Sequence, residues 1–209
     1  MKLALFGGTF DPIHAGHIAV AECAWREEGL DRVLFVPARH SPLKTGQPCV
    51  SGSQRSEMIE LAIQEHPWAG IWRGELDRPA PSYSWQTVAF FRNALPVAEL
   101  YWILGADQWN TLPSWVRSEY LAQALTFLVF HRGESPRALS GFKMKTLPAM
   151  HPASSTAIRQ GDWTYLDPLV ADYIRRCGLY RPENPDFIPQ PGHSNHCGST
   201  ERTGPVPGP

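Results

Sequence analysis

The sequence has no Cys-x-x-Cys pair: its four cysteines, Cys23, Cys49, Cys177 and Cys197, are scattered along 209 residues. That spacing reads as reduced thiols in a cytoplasmic protein and not as a disulfide framework. An excess of charge of one sign is missing too. The 19 Lys and Arg balance 20 Asp and Glu, a net charge of −1, which leaves room for a local patch but argues against a nucleic-acid-binding surface. Long apolar runs are absent: "MKLALFGG" is too short for a signal peptide, and no stretch could span a bilayer. No internal repeat is visible. What is left is a chain of one-domain size, able to bury a core, with neither membrane nor nucleic acid as an expected partner.

What is present is an alternation. "KLALF" is a short apolar run ending at Gly7-Gly8, as a buried strand does. "HIAVAECAWREEG" then carries Ile18, Ala21 and Trp25 at helical spacing and stops at Gly29. "RVLFVP", "GIWRGEL", "ELYWILG" and "LTFLVFHR" read as further strands, with "MKTLP" a short last one. "SQRSEMIELAIQEH" and "SWQTVAFFRNAL" read as helices, and a short Trp-rich helical region follows "ELYWILG". "SSTAIRQG" starts a helix behind good N-cap residues, and "PLVADYIRRCG" is a closing helix with Pro168 at its start and Gly178 past its end.

Strands alternating with helices predict an α/β, doubly wound fold: a mostly parallel sheet with helices on both faces. Such sheets bind ligands beyond the C-terminal ends of their strands, which is where Gly7 and Gly8 leave the first one. Residues 1–181 make up this domain. From residue 182 the composition shifts to Pro, Gly, Ser, His and Asn, so 182–209 reads as a disordered tail. Its "HSNHC" holds His193, His196 and Cys197 without a second ligand cluster nearby in sequence, and no metal site is assigned there.

The chemistry concentrates in "FGGTFDPIHAGH", Phe6 to His17. Histidines at i and i+3 share one helix face, and three readings compete for them. Zinc of the HExxH kind needs i, i+4 and a third ligand, whereas here Gly16 stands where a helper carboxylate would be. A capping or core histidine is the ordinary reading of a lone imidazole. The third reading is a phosphate cradle. Gly7 and Gly8 let the backbone approach a ligand closely, the following helix offers N–H groups and the positive end of its dipole, and two imidazoles add donors without permanent charge. The context favours the cradle.

"GGTFDPIHAGH" resembles the signature of nucleotidyltransferases that carry a (T/H)xGH motif on a Rossmann-like fold. "SSTAIR", Ser154 to Arg159, resembles that superfamily's second phosphate-binding motif, of the ISSTxIR type. Within the superfamily the chain is similar, from Leu3 to Arg181, to the bacterial nicotinate-nucleotide adenylyltransferases. "VPARHSPLK" resembles that family's P-x-x-x-P-P-H-K loop, "ELDRPAPSYSWQT" its E-x-x-R-x-x-P-S-Y-T segment, "WILGADQWNTLPSW" its G-A-D segment ending in Trp, and "VADYIRRCGLYR" its closing helix. Leu43 stands where the loop usually has His, Ser41 where it has the first Pro, and Ser84 where Thr follows Tyr. The segment between Arg132 and Ser154 is a poor match.

The resemblance implies adenylyl transfer from ATP to nicotinate mononucleotide, giving nicotinate adenine dinucleotide and pyrophosphate in NAD biosynthesis, by direct in-line attack with no covalent intermediate. It implies Gly7, Gly8, Thr9 and Phe10 at the nucleotides and His14 and His17 on the ATP phosphates. Ser155, Thr156 and Arg159 would hold the leaving pyrophosphate from a second helix start, with His14, His17 and Arg159 as the catalytic set. Gly105 and Asp107 would take the adenosine ribose, and Lys44, Ser82, Tyr83, Thr87 and Trp115 the acceptor. Mg²⁺ would arrive with ATP, since it prefers phosphate oxygens and water to a dedicated protein cage.

Each role has a plainer counterpart. Asp107 could cap the short helix after its strand, Trp115 could lie in the core, and Arg159 could pair with a surface acid. Rival functions are a sister transferase for phosphopantetheine or another phosphorylated acceptor, and a nucleotide-binding module without catalysis. The former tends to be shorter and to lack "PSYS" and "LPSW"; intact His14, His17 and Arg159 speak against the latter. Class I aminoacyl-tRNA synthetases also use H-x-G-H, and "FKMKT" faintly echoes their KMSKS loop, but this chain is too short and too neutral.

Overall fold

The computed structural model describes residues 1–42, 46–131, 133, 135–148 and 151–180. Lys44, Cys197 and the expected tail at 182–209 lie outside the described residues. Six strands, β1 (Lys2–Gly8), β2 (Arg32–Pro37), β3 (Ala69–Ile71), β4 (Glu99–Gly105), β5 (Thr126–Phe130) and β6 (Met144–Leu147), form one sheet in the order β3-β2-β1-β4-β5-β6. Every neighbouring pair is parallel, so the sheet is wholly and not mostly parallel.

Why the strands read as near-continuous apolar runs follows from their two covered faces. Along β1, Ala4 and Phe6 enter one core with Val33 and Phe35, while Leu3 and Leu5 enter the other with Leu100 and Trp102. This is the period-two alternation of a strand. The first core is closed by α1 (Ala15–Glu28), α2 (Gly52–Ile63) and α7 (Pro168–Cys177), the second by α3 (Ser84–Ala94), α4 (Ala106–Thr111) and α5 (Ser118–Ala124). Leu5 and Phe35 are fully buried, and each such side chain contributes roughly 1.5–3 kcal/mol relative to exposure. From β1 the chain builds outward to β3, then returns to place β4 on the other side of β1. At that reversal the crossovers diverge and leave a crevice beyond the strand ends.

Local signals set most boundaries. Gly29 ends α1 at φ 58° and Gly178 ends α7 at φ 62°, left-handed positions that suit glycine, and the Asp167 carboxylate caps α7 by accepting the Leu169 N–H at 2.8 Å. Three elements differ from expectation. "GIWRGEL" is strand only to Ile71, because the Trp72 ring folds over Gly74, where a Cβ would stand 2.2 Å from Cζ2, and Leu76 N–H turns back to the Arg73 carbonyl at 2.8 Å. The Trp-rich stretch divides into α4, a 3₁₀ turn at Leu112–Ser114 containing Pro113, and α5. The helix at "SSTAIRQG" shortens to α6 (Ser155–Arg159), ended by Gly161 at φ 103°. Among the described residues no helix is long and apolar enough to cross a membrane.

Candidate active site

A cleft of about 950 Å³ opens at the C-terminal ends of β1 and β4. Of the residues singled out from the sequence, Gly7, Gly8, Thr9, Phe10, His17, Ser82, Tyr83, Trp115, Ser155, Thr156 and Arg159 line it. Thr87, Gly105, Asp107 and His14 are not on its wall. Asp107 is exposed in the first turn of α4, with Gln108, one residue on, taking the place on the cleft. Lys44 lies outside the described residues.

The two histidines differ in role. His14 is the N-cap of α1, extended at φ −152°, and 6% exposed; His17 is in the first turn. Their rings stack with centroids 3.7 Å apart. His17 Nδ1 accepts the His14 N–H at 3.3 Å, so the proton of a neutral His17 ring sits on Nε2, a donor. The Ala15 N–H donates to the Tyr165 carbonyl at 3.0 Å. Two donors that the sequence left open for an anion are therefore bonded within the protein. The imidazole of His17 lines the cleft.

Gly7 and Gly8 have a packing reason as well. A Cβ on Gly7 would lie 2.5 Å from Trp102 Cζ2, and one on Gly8 would lie 2.7 Å from the Phe10 ring. The Phe10 backbone turns at φ 50°, sparsely populated for a side-chain-bearing residue, and its ring, 2% exposed, meets Phe6, Phe35 and His17 edge-on. Gly16 is needed for the same kind of reason: its Cβ would press on the His14 ring at 3.1 Å and Ala153 at 3.3 Å.

The second motif reaches the first through two bonds. Ser155 Oγ donates to the Pro12 carbonyl at 3.0 Å, and Arg159 Nη1 donates to the Asp11 carbonyl at 2.6 Å. Arg159 Nη2 reaches Thr156 Oγ1 at 3.3 Å. Across the cleft, Tyr83 is the N-cap of α3 with no side-chain cap bond, leaving first-turn N–H groups without that partner. Ser82 Oγ accepts the Arg39 N–H at 2.9 Å. Trp115 is half-buried, its Nε1 donating to Thr111 Oγ1 at 3.3 Å.

Several residues that organise the site were not singled out from the sequence. Asp11, 6% exposed, accepts from the Cys49 N–H at 2.7 Å and from the Tyr180 hydroxyl at 2.6 Å. Burial and then the Asp11 carboxylate push the Tyr180 phenol up, which keeps it a donor. Arg55, 1% exposed, donates to the Thr9 carbonyl at 2.7 Å and the Ala38 carbonyl at 2.8 Å. Burial lowers its pKa, with Asp11 opposing. Glu75 lines the cleft, accepts from Thr87 Oγ1 at 2.6 Å, and is held above the usual carboxylate range by burial, against the Thr87 and Ser82 hydroxyls. Arg55 had a signal in the sequence: with Met58, Ile59 and Ala62 it occupies the buried face of α2. Glu75 stood inside the quoted "ELDRPAPSYSWQT". Trp102 gave no signal beyond its strand.

Residues 5–161 match the cytidylyltransferase-like family. The probable nicotinate-nucleotide adenylyltransferase of Methylacidiphilum infernorum is 36% identical over 189 residues, covering 87% of this chain and 93% of that protein. That of Thermus thermophilus is 38% identical over 190 residues, covering 87% and 100%. Among solved structures, Plasmodium falciparum nicotinic acid mononucleotide adenylyltransferase complexed with NaAD superposes with a TM-score of 0.70 at 20% identity, over 86% of this chain and 97% of that one. With a shared fold, and relatives above one-third identity over nearly their whole length, the chain belongs to the nicotinate-nucleotide adenylyltransferase family.

Proposed function

We propose that the protein transfers the adenylyl group of ATP to nicotinate mononucleotide, releasing pyrophosphate and nicotinate adenine dinucleotide. The observation that carries the reading is the bonding of α6 to the first loop, Ser155 to Pro12 and Arg159 to Asp11, which makes one wall of two distant motifs. The mononucleotide phosphate is anionic at neutral pH, so its oxygen attacks the α-phosphorus of ATP without a general base. The bond to pyrophosphate breaks as the new one forms, and the protein's task is alignment and charge stabilisation. The cleft carboxylates fit that division of labour: both Asp11 oxygens already accept bonds, and Glu75 is buried against Thr87.

His17, Thr156 and Arg159 are the donors for the triphosphate, the Ser155 hydroxyl being engaged on the Pro12 carbonyl, and His14, stacked on His17, holds the His17 ring in place. Tyr83 and the first turn of α3 take the acceptor's carboxylate, and Trp115 stacks on its pyridine. The hydroxyl of Thr87 is engaged by Glu75, so Thr87 supports this turn from behind. Asp107, in the first turn of α4, and Gly105, its N-cap, take the ribose only if the nucleotide extends past Gln108. Mg²⁺ fits as a passenger on ATP. The two cleft carboxylates are engaged, Asp11 by Cys49 and Tyr180 and Glu75 by Thr87, so the ion's ligands would be phosphate oxygens and water, and it would neutralise phosphate charge.

Chromatographic analysis of products tests the proposal. ATP and nicotinate mononucleotide with the purified protein should give the dinucleotide and pyrophosphate in equal amounts. Release of phosphate or AMP without the dinucleotide would refute it.

A further inference from the structure

We infer that His151 binds the terminal phosphate of the nucleotide, as a third imidazole beside His14 and His17; the inference rests on the adenylyltransferase reading above. A second, smaller cavity of about 170 Å³ adjoins the cleft, and His17 and Ser155 line both. A water needs only about 10–15 Å³ of such space, so the chamber has room for a phosphoryl group with several waters. Its polar lining is His14, His17, His151, Ser154 and Ser155, and no lining residue is acidic. With the Ser155 hydroxyl engaged on the Pro12 carbonyl, the imidazoles and the Ser154 hydroxyl are the groups that can donate to an anion. The set carries no permanent cation, so it can stabilise pyrophosphate without trapping it.

The His151 ring is orientated for this. Its Nδ1 accepts the Ala153 N–H at 3.2 Å, so a neutral ring carries its proton on Nε2, the arrangement already seen for His17. Tyr165 meets the ring edge-on at 5.0 Å, and the Tyr165 carbonyl accepts the Ala15 N–H at the start of α1. Gly16 lets α1 close onto Ala153, two residues from His151. The third imidazole is thus registered against the helix that carries the other two. Its place lies in the stretch that resembles the family poorly, where the sequence offered no guide.

Steady-state kinetics in both directions on wild type, His151→Ala, His151→Gln and His151→Asn test the inference. The alanine variant should raise KM for ATP and for pyrophosphate about tenfold, the loss of one bond to a charged group, with KM for both pyridine nucleotides nearly unchanged. Glutamine places an N–H near the position of Nε2 and should restore most of the loss. Asparagine mimics the Nδ1 side, which meets Ala153, and should not. Unchanged ATP and pyrophosphate KM in the alanine variant, a parallel rise for every substrate, or rescue by asparagine alone would overturn the inference. Should the alanine protein fail to fold, glutamine against asparagine decides the matter. A wild-type enzyme inactive in both directions would instead overturn the adenylyltransferase reading beneath it.

Discussion

A methyl group at Gly7 would stand 2.5 Å from Trp102 Cζ2, and the rigid indole, 4% exposed, has little room to yield. Gly7→Ala should cost about 1–3 kcal/mol through overpacking. At roughly 2–4 °C per kcal/mol for a domain of this size, thermal unfolding would show a clear drop, and an unchanged Tm would mean that the indole moves freely. His17 behaves differently, because its ring is offered to the cleft. His17→Ala should lower turnover by about a hundredfold or more with a small effect on Tm. Near-normal turnover would remove it from the mechanism. Glu75 tests the electrostatics. Burial raises its folded pKa, so the native state keeps a proton that the unfolded chain has released, and stability falls as pH rises from the ordinary carboxylate range through the raised value. Glu75→Gln has no such titration. As pH rises above the ordinary carboxylate range the wild type should therefore lose Tm relative to the variant; parallel curves would contradict the assignment of that shift.

At the scale of elements, the cleft is made by loops pinned to one another. Arg55 on α2 bridges the loop after β1, at Thr9, to the exit of β2, at Ala38. Arg55→Ala would strand one buried and one half-buried carbonyl and open a void, a loss of about 2–4 kcal/mol, visible as a lower urea midpoint together with weakened ATP binding. A midpoint within error of wild type would show that water replaces the guanidinium. Elements with strong local signals were legible in the sequence: α7 has Pro168 and Gly178 at its ends, and β1 and β4 run apolar after a single charged first residue because both faces are covered. The early end of β3 was not, since it depends on where the Trp72 ring comes to rest. Nor was the occupancy of the α1 donors, set by Tyr165 from far along the chain. Motif residues reveal the chemistry a site requires. They do not reveal which backbone groups the rest of the fold has already used.

On the scale of the whole molecule, an order of β3-β2-β1-β4-β5-β6 places the reversal of the sheet beside the glycine turn. A 950 Å³ cleft there has His17, Ser155, Thr156 and Arg159 on one wall and Tyr83 and Ser84, at the start of α3, on the other. On the proposed reading the second wall selects an acceptor bearing a carboxylate. Tyr83 caps α3 without a side-chain bond, and first-turn N–H donors suit an acceptor-only anion better than a carboxamide, which must turn its NH₂ toward them or lose a bond. The most direct test is kcat/KM of the wild type for nicotinate mononucleotide, its amide counterpart and phosphopantetheine, followed by pyrophosphate release. The account predicts the acid first, the amide lower by about tenfold or more, and no turnover of phosphopantetheine; equal kcat/KM for acid and amide, or preference for phosphopantetheine, would contradict it.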